Sequence, residues 1–124
     1  MGPSQQRRVA LEPVDIAKKI VEVASDKQAA DIVLLDIGKV CTFADYFVIC
    51  TGETNRQIDA ITKDLDEALG KAGAPLLRRE GAPESGWILL DFGPVIVHIF
   101  GPEERAFYQL EQLWSKGTLV VKIE

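Results

Sequence analysis

The chain contains 124 residues, of which 47% are hydrophobic and 27% are charged, as expected for one globular domain with a single core. Its net charge is −5, from 19 acidic and 14 basic residues, and the basic residues are scattered along the sequence. Because binding to many phosphates needs a concentrated basic face, the sequence argues against direct, sequence-specific binding of nucleic acid. No apolar run approaches the roughly 20 residues that span a bilayer, so we expect no association with a membrane.

Residues 1–10 lack the apolar segment of a secretory signal, and we expect them to form a disordered N-terminal lead. Pro13 suits the first position of a helix. Apolar side chains then recur at helical spacing on one face, at Ile16, Ala17, Ile20, Val21 and Ala24. This pattern predicts a helix that ends near residues 25–27.

Two runs of β-forming residues follow, at residues 31–37 and 46–50, and each predicts a strand. Thr54 and Gln57 then match a capping box, which predicts the start of a second helix. Its buried stripe is expected at Ile58, Ile61, Leu65, Ala68 and Leu69. Gly73 suits the end of this helix.

The next region predicts a β-hairpin. Residues 75–79 favour a short strand at a sheet edge, and residues 80–85 form a polar loop. Residues 86–100 contain two apolar runs split by Gly93-Pro94, which predicts a hairpin that is buried on at least one face.

The last predicted helix opens at Pro102 and ends at Gly117. Its apolar stripe is expected at Phe107, Leu110, Leu113 and Trp114. Residues 118–123 alternate in character and predict either a strand or an extended tail. The order of elements predicts a single α/β (α+β) domain with a mixed β-sheet and helices packed on it.

The sequence contains few groupings of residues that are typical of a catalytic site. Residues 51–54 lie between a strand and a helix, but they contain one glycine and no lysine of a phosphate-binding loop, and Glu53 would repel an anion. Metal-dependent nucleotidyl transfer needs two or three converging carboxylates. Asp36, Asp45 and Asp91 are instead isolated on different predicted elements. We therefore expect no bound metal and no cofactor.

The remaining reactive side chains also lack partners in the sequence. His98 is the only histidine, and no nucleophile or metal-ligand spacing accompanies it. Cys41 and Cys50 fit no metal or CxxC spacing, which is typical of reduced cysteines in a cytosolic protein.

The predicted hairpin is also a candidate docking surface. Its first strand is apolar on both faces, with Trp87 on one and Leu90 on the other, and its second strand carries His98. A tryptophan in such a strand belongs either to the core or to a binding surface. The sequence leaves both interpretations open at this point.

Three blocks of the sequence resemble one known family. Residues 45–57 (DYFVICTGETNRQ) resemble its D-Y-F-V-I-x-T-G-x-S-x-x-Q/H block. Residues 87–100 (WILLDFGPVIVHIF) are similar to its W-x-x-x-D-x-G-D-x-x-V-H-x-F block, and residues 105–114 to its closing R-x-x-Y-x-L-E-x-L-W. The family is that of the ribosomal silencing factors, also called Iojap-related proteins, and the resemblance runs from about residue 15 to residue 114.

The resemblance implies a protein that is not an enzyme. Members of the family bind the large ribosomal subunit through large-subunit ribosomal protein fourteen and obstruct joining of the small subunit. This damps translation or guards assembly of the large subunit in the cytoplasm, and homodimers also occur. The implied fold is nucleotidyltransferase-like without catalytic carboxylates. The family domain would span residues 11–116, followed by a strand or tail at residues 117–124.

The resemblance also implies which residues contact the partner. Carried onto this sequence, they are Trp87, Leu90 and His98, followed by Asp91 and Tyr108. Trp87 and Leu90 differ in parity, so both can reach one partner only if the strand starts late or contains a bulge.

One position departs from the family pattern, and two other functions remain as alternatives. Pro94 stands where the family usually has Asp, which leaves the role of that Asp unfilled. The first alternative is a small metal-dependent nucleotidyltransferase-like enzyme that uses Asp45 and Asp91. The second is an unrelated homodimerisation module.

Overall fold

The structure is a computed structural model that describes residues 11–124, so the predicted lead at residues 1–10 lies outside the described residues. In chain order, the elements are α1 (Pro13–Asp26), β1 (Ala30–Asp36), β2 (Tyr46–Thr51), α2 (Asn55–Lys71), β3 (Arg78–Glu80), a 3₁₀ turn (Pro83–Ser85), β4 (Trp87–Asp91), β5 (Val95–Phe100), α3 (Pro102–Tyr108), α4 (Leu110–Leu113) and β6 (Thr118–Ile123).

The six strands form one mixed sheet in the order β3-β4-β5-β2-β1-β6. The central strands β2 and β5 are parallel, with Tyr46 aligned to Val95 and Thr51 aligned to Phe100. The other neighbouring strands are antiparallel. Strand β6 pairs with β1, so residues 118–123, for which the sequence allowed a strand or an extended tail, form a strand. The sheet and its helices confirm the predicted α+β class.

Helices α1 and α2 pack against one side of the sheet, which we call the first face. Their apolar stripes are buried as predicted, except that Ala68 is only partly buried, because residues at helical spacing point to the same side of each helix. The strand residues on the first face are Ile32, Leu34, Val48, Cys50, Ile88, Leu90, Val95, Val97 and Ile99.

The opposite side, the second face, carries a smaller core. Its buried residues come mainly from the strands, with Leu110 of α4 packed on them. The strand members of this core are Val33, Leu35, Phe47, Ile49, Ile96 and Phe100, and Ile37 and Ala44 join them from the segment between β1 and β2. The short helices α3 and α4 cover this face only in part, which leaves large apolar side chains exposed nearby.

The predicted helix from Pro102 to Gly117 is interrupted. Gln109 adopts a left-handed conformation, with φ 48° and ψ 49°, and divides the segment into α3 and α4. The prediction of one buried stripe is therefore wrong: Leu110 is buried, whereas Phe107 and Leu113 are exposed. Because the left-handed residue interrupts the helix, positions at helical spacing on either side of it no longer share one face.

The predicted cap of α2 is present and reaches further than expected. The Thr54 hydroxyl accepts a hydrogen bond from the Gln57 N–H at 3.0 Å. The Gln57 side-chain oxygen accepts from the Glu53 N–H at 2.7 Å, and its amide nitrogen donates to the Gln28 carbonyl at 2.9 Å. Gln57 thereby ties the start of α2 to the turn between α1 and β1.

Candidate protein-binding surface

Strand β4 separates the predicted contact residues onto different faces. Its pairing with β5 is continuous from Trp87–Phe100 to Asp91–Ile96, without a bulge. Trp87 and Asp91 therefore lie on the second face, and Leu90 lies on the first. Leu90 is fully buried beneath the helices. Because Leu90 does not reach the surface, its buried position is incompatible with the direct partner contact that was expected for it.

His98 is also buried, although it lies on the same face as Trp87. It is 5% exposed, and burial lowers the pKa of its imidazole from 6.5 to about 4. The Trp87 indole nitrogen Nε1 donates a hydrogen bond to His98 Nδ1 at 3.2 Å. The imidazole also packs edge-on against Phe47, with ring centres 4.9 Å apart. His98 thus contacts Trp87 from the interior of the protein and does not itself reach the surface.

Trp87 meets residues of α3 at the protein surface. Its ring centre lies 4.5 Å from that of Tyr108, and Phe107 follows at 5.0 Å from Tyr108. Trp87 and Leu89 are half-buried, Tyr108 is exposed, and Phe107 is 79% exposed. We call these four residues the Trp87 surface. A depression of about 370 Å³ beside it is lined by Trp87, Leu89, Tyr108, Glu80, Gly81 and Ser85.

Acidic side chains border the Trp87 surface. Glu103 and Glu104, at the start of α3, line a second depression of about 420 Å³ together with Phe107, Tyr108 and Ser85. The Glu104 carboxylate lies directly over Gly86, where a side chain would collide with it. Glu80 lines the first depression, where its carboxylate is ion-paired with Arg78 at 2.7 Å. The surface is therefore aromatic in the middle and negatively charged at its border.

Asp91 and Pro94 shape the turn of the hairpin. The Asp91 carboxylate accepts a hydrogen bond from the Gly93 N–H at 2.8 Å, which holds the turn between β4 and β5. The Pro94 carbonyl accepts from the backbone N–H groups of Asp45 and Tyr46, at 2.7 and 3.1 Å. Proline is compatible with this turn because its carbonyl, rather than an N–H, makes the contact to β2.

An ion pair spans the break between α3 and α4, and the sequence alone does not reveal it. The Arg105 guanidinium donates to the Glu111 carboxylate at 2.8 and 3.0 Å and to the Thr51 hydroxyl at 2.9 Å. Partial burial of Glu111 would raise its carboxyl pKa, but the hydrogen bonds and charge of Arg105 outweigh this and lower it. Arg105 thus fixes the two helices to the end of β2.

Two members of the Trp87 surface were missed from the sequence. Leu89 shares the parity of Trp87, so strand alternation is a signal that could have found it. Phe107 was assigned to a buried helical stripe, and only the break at Gln109 exposes it.

A wider cleft of about 550 Å³ lies between α3–α4 and strands β1 and β6, and none of the five predicted contact residues lines it. Within residues 11–124, no three His, Cys, Asp or Glu side chains are grouped to hold a metal ion. None of the helices described here is long and apolar enough to cross a membrane. Burial raises the pKa of the Cys50 thiol to about 12, which makes it a poor nucleophile at neutral pH.

A surface on which a tryptophan of the sheet meets a tyrosine and a phenylalanine of a short helix is typical of a protein-binding domain. The sequence profile of the family described as "Ribosomal silencing factor during starvation" matches residues 10–124. The chain therefore belongs to the ribosomal silencing factor family, which confirms the resemblance found in the sequence.

Individual relatives agree with this assignment. The Bacillus subtilis (strain 168) protein named Ribosomal silencing factor RsfS is 38% identical over 106 residues, which cover 82% of this chain and 90% of the relative. A crystal structure of a Chromobacterium violaceum protein is 32% identical with a TM-score of 0.81, covering 85% of this chain and 88% of that one. The mouse protein named Mitochondrial assembly of ribosomal large subunit protein 1 is 30% identical over 99 residues, or 77% of this chain and 43% of the relative.

Proposed function

We propose that this chain binds the large ribosomal subunit through large-subunit ribosomal protein fourteen and blocks joining of the small subunit, thereby repressing translation in the cytoplasm. Membership of the silencing factor family supports a role at the ribosome. The name of the mouse relative refers to assembly of the large ribosomal subunit, which supports that subunit as the partner and a further role in its biogenesis.

The observation that carries the proposal is the Trp87 surface. Trp and Tyr side chains provide much of the binding energy at protein interfaces, especially where they are packed before the partner arrives. Trp87 is held by a hydrogen bond to His98 and by ring contacts to Phe100 and Tyr108. The surface is therefore aromatic and already ordered, as a docking site requires.

The charge around this surface favours a protein partner over RNA. Glu103 and Glu104 border the aromatic residues and would repel phosphates, whereas the charge of Glu80 is balanced by its ion pair with Arg78. A protein that presents Lys or Arg side chains around an apolar patch would complement the same border. This supports a ribosomal protein, rather than ribosomal RNA, as the direct partner.

The proposed mechanism is occupancy. A domain bound on the face where the two subunits meet excludes the small subunit by its volume, and no chemical step or cofactor is required. We also propose that free chains pair through the Trp87 surface, because the exposed Phe107 and Tyr108 would be covered in such a dimer. Dimer formation and subunit binding would then exclude each other.

The test is co-sedimentation with isolated large subunits. We expect Trp87→Ala to lose binding by at least tenfold, because the central aromatic group is removed, while circular dichroism shows that the variant is folded. Val120→Ala is a matched control, since Val120 is exposed on β6, the edge strand at the opposite end of the strand order from β3 and β4. Unchanged sedimentation of a folded Trp87→Ala protein would contradict the proposed surface.

A second measurement tests the consequence of binding. Excess protein added to separated subunits should reduce the fraction of joined ribosomes in a sucrose gradient, and Trp87→Ala should not. A nucleotide titration with magnesium provides the contrast with an enzyme that uses Asp45 and Asp91. Saturable heat in that calorimetric titration would favour nucleotide chemistry instead.

A further inference from the structure

Trp87 and His98 form a hydrogen-bonded pair whose two members differ in exposure. Trp87 is half-buried and contributes to the surface, while His98 is 5% exposed. They are diagonal neighbours on β4 and β5, because Trp87 aligns with Phe100 and Leu89 aligns with His98. The 3.2 Å bond joins indole Nε1 to imidazole Nδ1.

The direction of this bond defines the state of the imidazole. The indole N–H can only donate, so Nδ1 of His98 must accept and carry no proton. The proton of the neutral ring is then on Nε2, which is buried and has no hydrogen-bond partner among the residues described. Neither imidazole nitrogen is therefore open to a partner molecule: one is occupied by Trp87, and the other is enclosed.

The imidazole is itself firmly held. Its ring packs edge-on against Phe47, with ring centres 4.9 Å apart, and lies nearly parallel to Phe100 at 6.3 Å. A side chain fixed in this way presents its acceptor atom in one direction. The indole plane of Trp87 is consequently set by a bond on its inner edge and by Tyr108 on its outer side.

We infer that His98 is a positioning residue: its Nδ1 atom fixes the indole of Trp87 in the orientation that binds the partner, and His98 itself does not touch the partner. This rests on the proposed function for its binding consequence, whereas the local role stands on the Trp87–His98 geometry alone. It also replaces the expectation, drawn from the resemblance, that His98 is a contact residue.

The experiment compares two substitutions that differ in the acceptor. Asn carries a side-chain oxygen near the position of Nδ1, whereas Phe keeps an aromatic ring and removes the acceptor. In ¹⁵N-labelled protein, His98→Phe should speed hydrogen exchange of the Trp87 indole N–H at least tenfold, and His98→Asn should keep it within threefold. The indole N–H of Trp114 is an internal control, because Trp114 has no hydrogen bond to His98.

Binding to isolated large subunits is measured on the same proteins. We expect at least a fivefold higher Kd for His98→Phe and less than a twofold change for His98→Asn. If His98→Phe weakens binding while the Trp87 indole stays protected, His98 is a contact residue and the inference is overturned. If even the unsubstituted protein does not bind, the proposed function fails, and the exchange data still decide the local role.

A measurement on the unsubstituted protein covers the case in which His98→Phe does not fold. Long-range ¹H–¹⁵N spectra of the single imidazole report its tautomer at pH 7. The inference requires a neutral ring with the proton on Nε2 and an acceptor at Nδ1. A proton on Nδ1 would overturn it without any substitution.

Discussion

His98 makes the stability of the folded protein depend on pH at the scale of one residue. Its imidazole is enclosed by aromatic rings and is neutral in the fold, since burial lowers its pKa to about 4. In the unfolded chain the same group has its ordinary pKa of 6.5. The unfolded state therefore takes up a proton first as the pH falls.

We predict that this single group removes about 3 kcal/mol of folding stability between pH 6.5 and pH 4. Above pH 6.5 this group takes nothing from the free energy of unfolding. The free energy of unfolding then falls as the pH falls, and His98 changes it no further below pH 4. Urea unfolding at several pH values measures it. His98→Phe is the control, because the sequence has no other histidine to titrate in this range. Equal pH dependence in both proteins would contradict the prediction.

The residues of β4 show how far the sequence defines the site. Strand alternation alone separates Trp87 from Leu90, and the continuous pairing with β5 confirms that separation. Which of the two faces remains open cannot be read from the alternation, because both faces of β4 are apolar. That choice depends on where α1 and α2 pack, which is a tertiary property.

At the scale of the elements, two glycines should respond to alanine in opposite ways. Gly70 lies in helix α2 with open space around its Cα, so Gly70→Ala should stabilise the protein by about 0.5–1 kcal/mol. Gly81 has φ +89°, and a Cβ there would overlap the Trp87 carbonyl. Gly81→Ala should cost about 2 kcal/mol or more. Urea unfolding of both variants measures the two changes, and equal effects would refute the reasoning.

The ends of the elements differ in how well the sequence predicts them. Helix α2 begins at a capping residue and ends before a glycine, and both local signals are found in the structure. The break at Gln109 has no such signal, because neither glycine nor proline is present there. It coincides with the hydrogen bond from Arg105 to Thr51 and with the burial of Leu110 against the strands, and both contacts involve residues distant along the chain.

At the scale of the whole molecule, the two sides of the sheet are covered unequally. Helices α1 and α2, of 14 and 17 residues, cover the first face, whereas α3 and α4 have only 7 and 4. The element types could be predicted from periodicity. The strand order could not, because the sequence does not state which distant strands pair.

We predict that the chain forms dimers because the short helices α3 and α4 leave part of the second face uncovered. Phe107→Glu should abolish dimers, because it adds a charge to an apolar surface already bordered by Glu103 and Glu104. Stability should change by less than about 0.5 kcal/mol, since Phe107 is 79% exposed. Sedimentation equilibrium over a range of concentrations measures the dimer. Val40→Glu, in the loop between β1 and β2, is the control, and an equal effect of both would place the contact elsewhere.

The parallel pairing of β2 with β5 has a consequence for the order of folding. Its partners are far apart in the sequence, since Tyr46 aligns with Val95, whereas the β4–β5 hairpin joins near neighbours. Closing a long loop loses chain entropy before contacts compensate for it, so local pairs form early and distant pairs form late. Phe47 and His98 come from opposite sides of this junction. The support beneath Trp87 is therefore completed only after this distant pairing is made, and the ability to bind arises later than the β4–β5 hairpin itself.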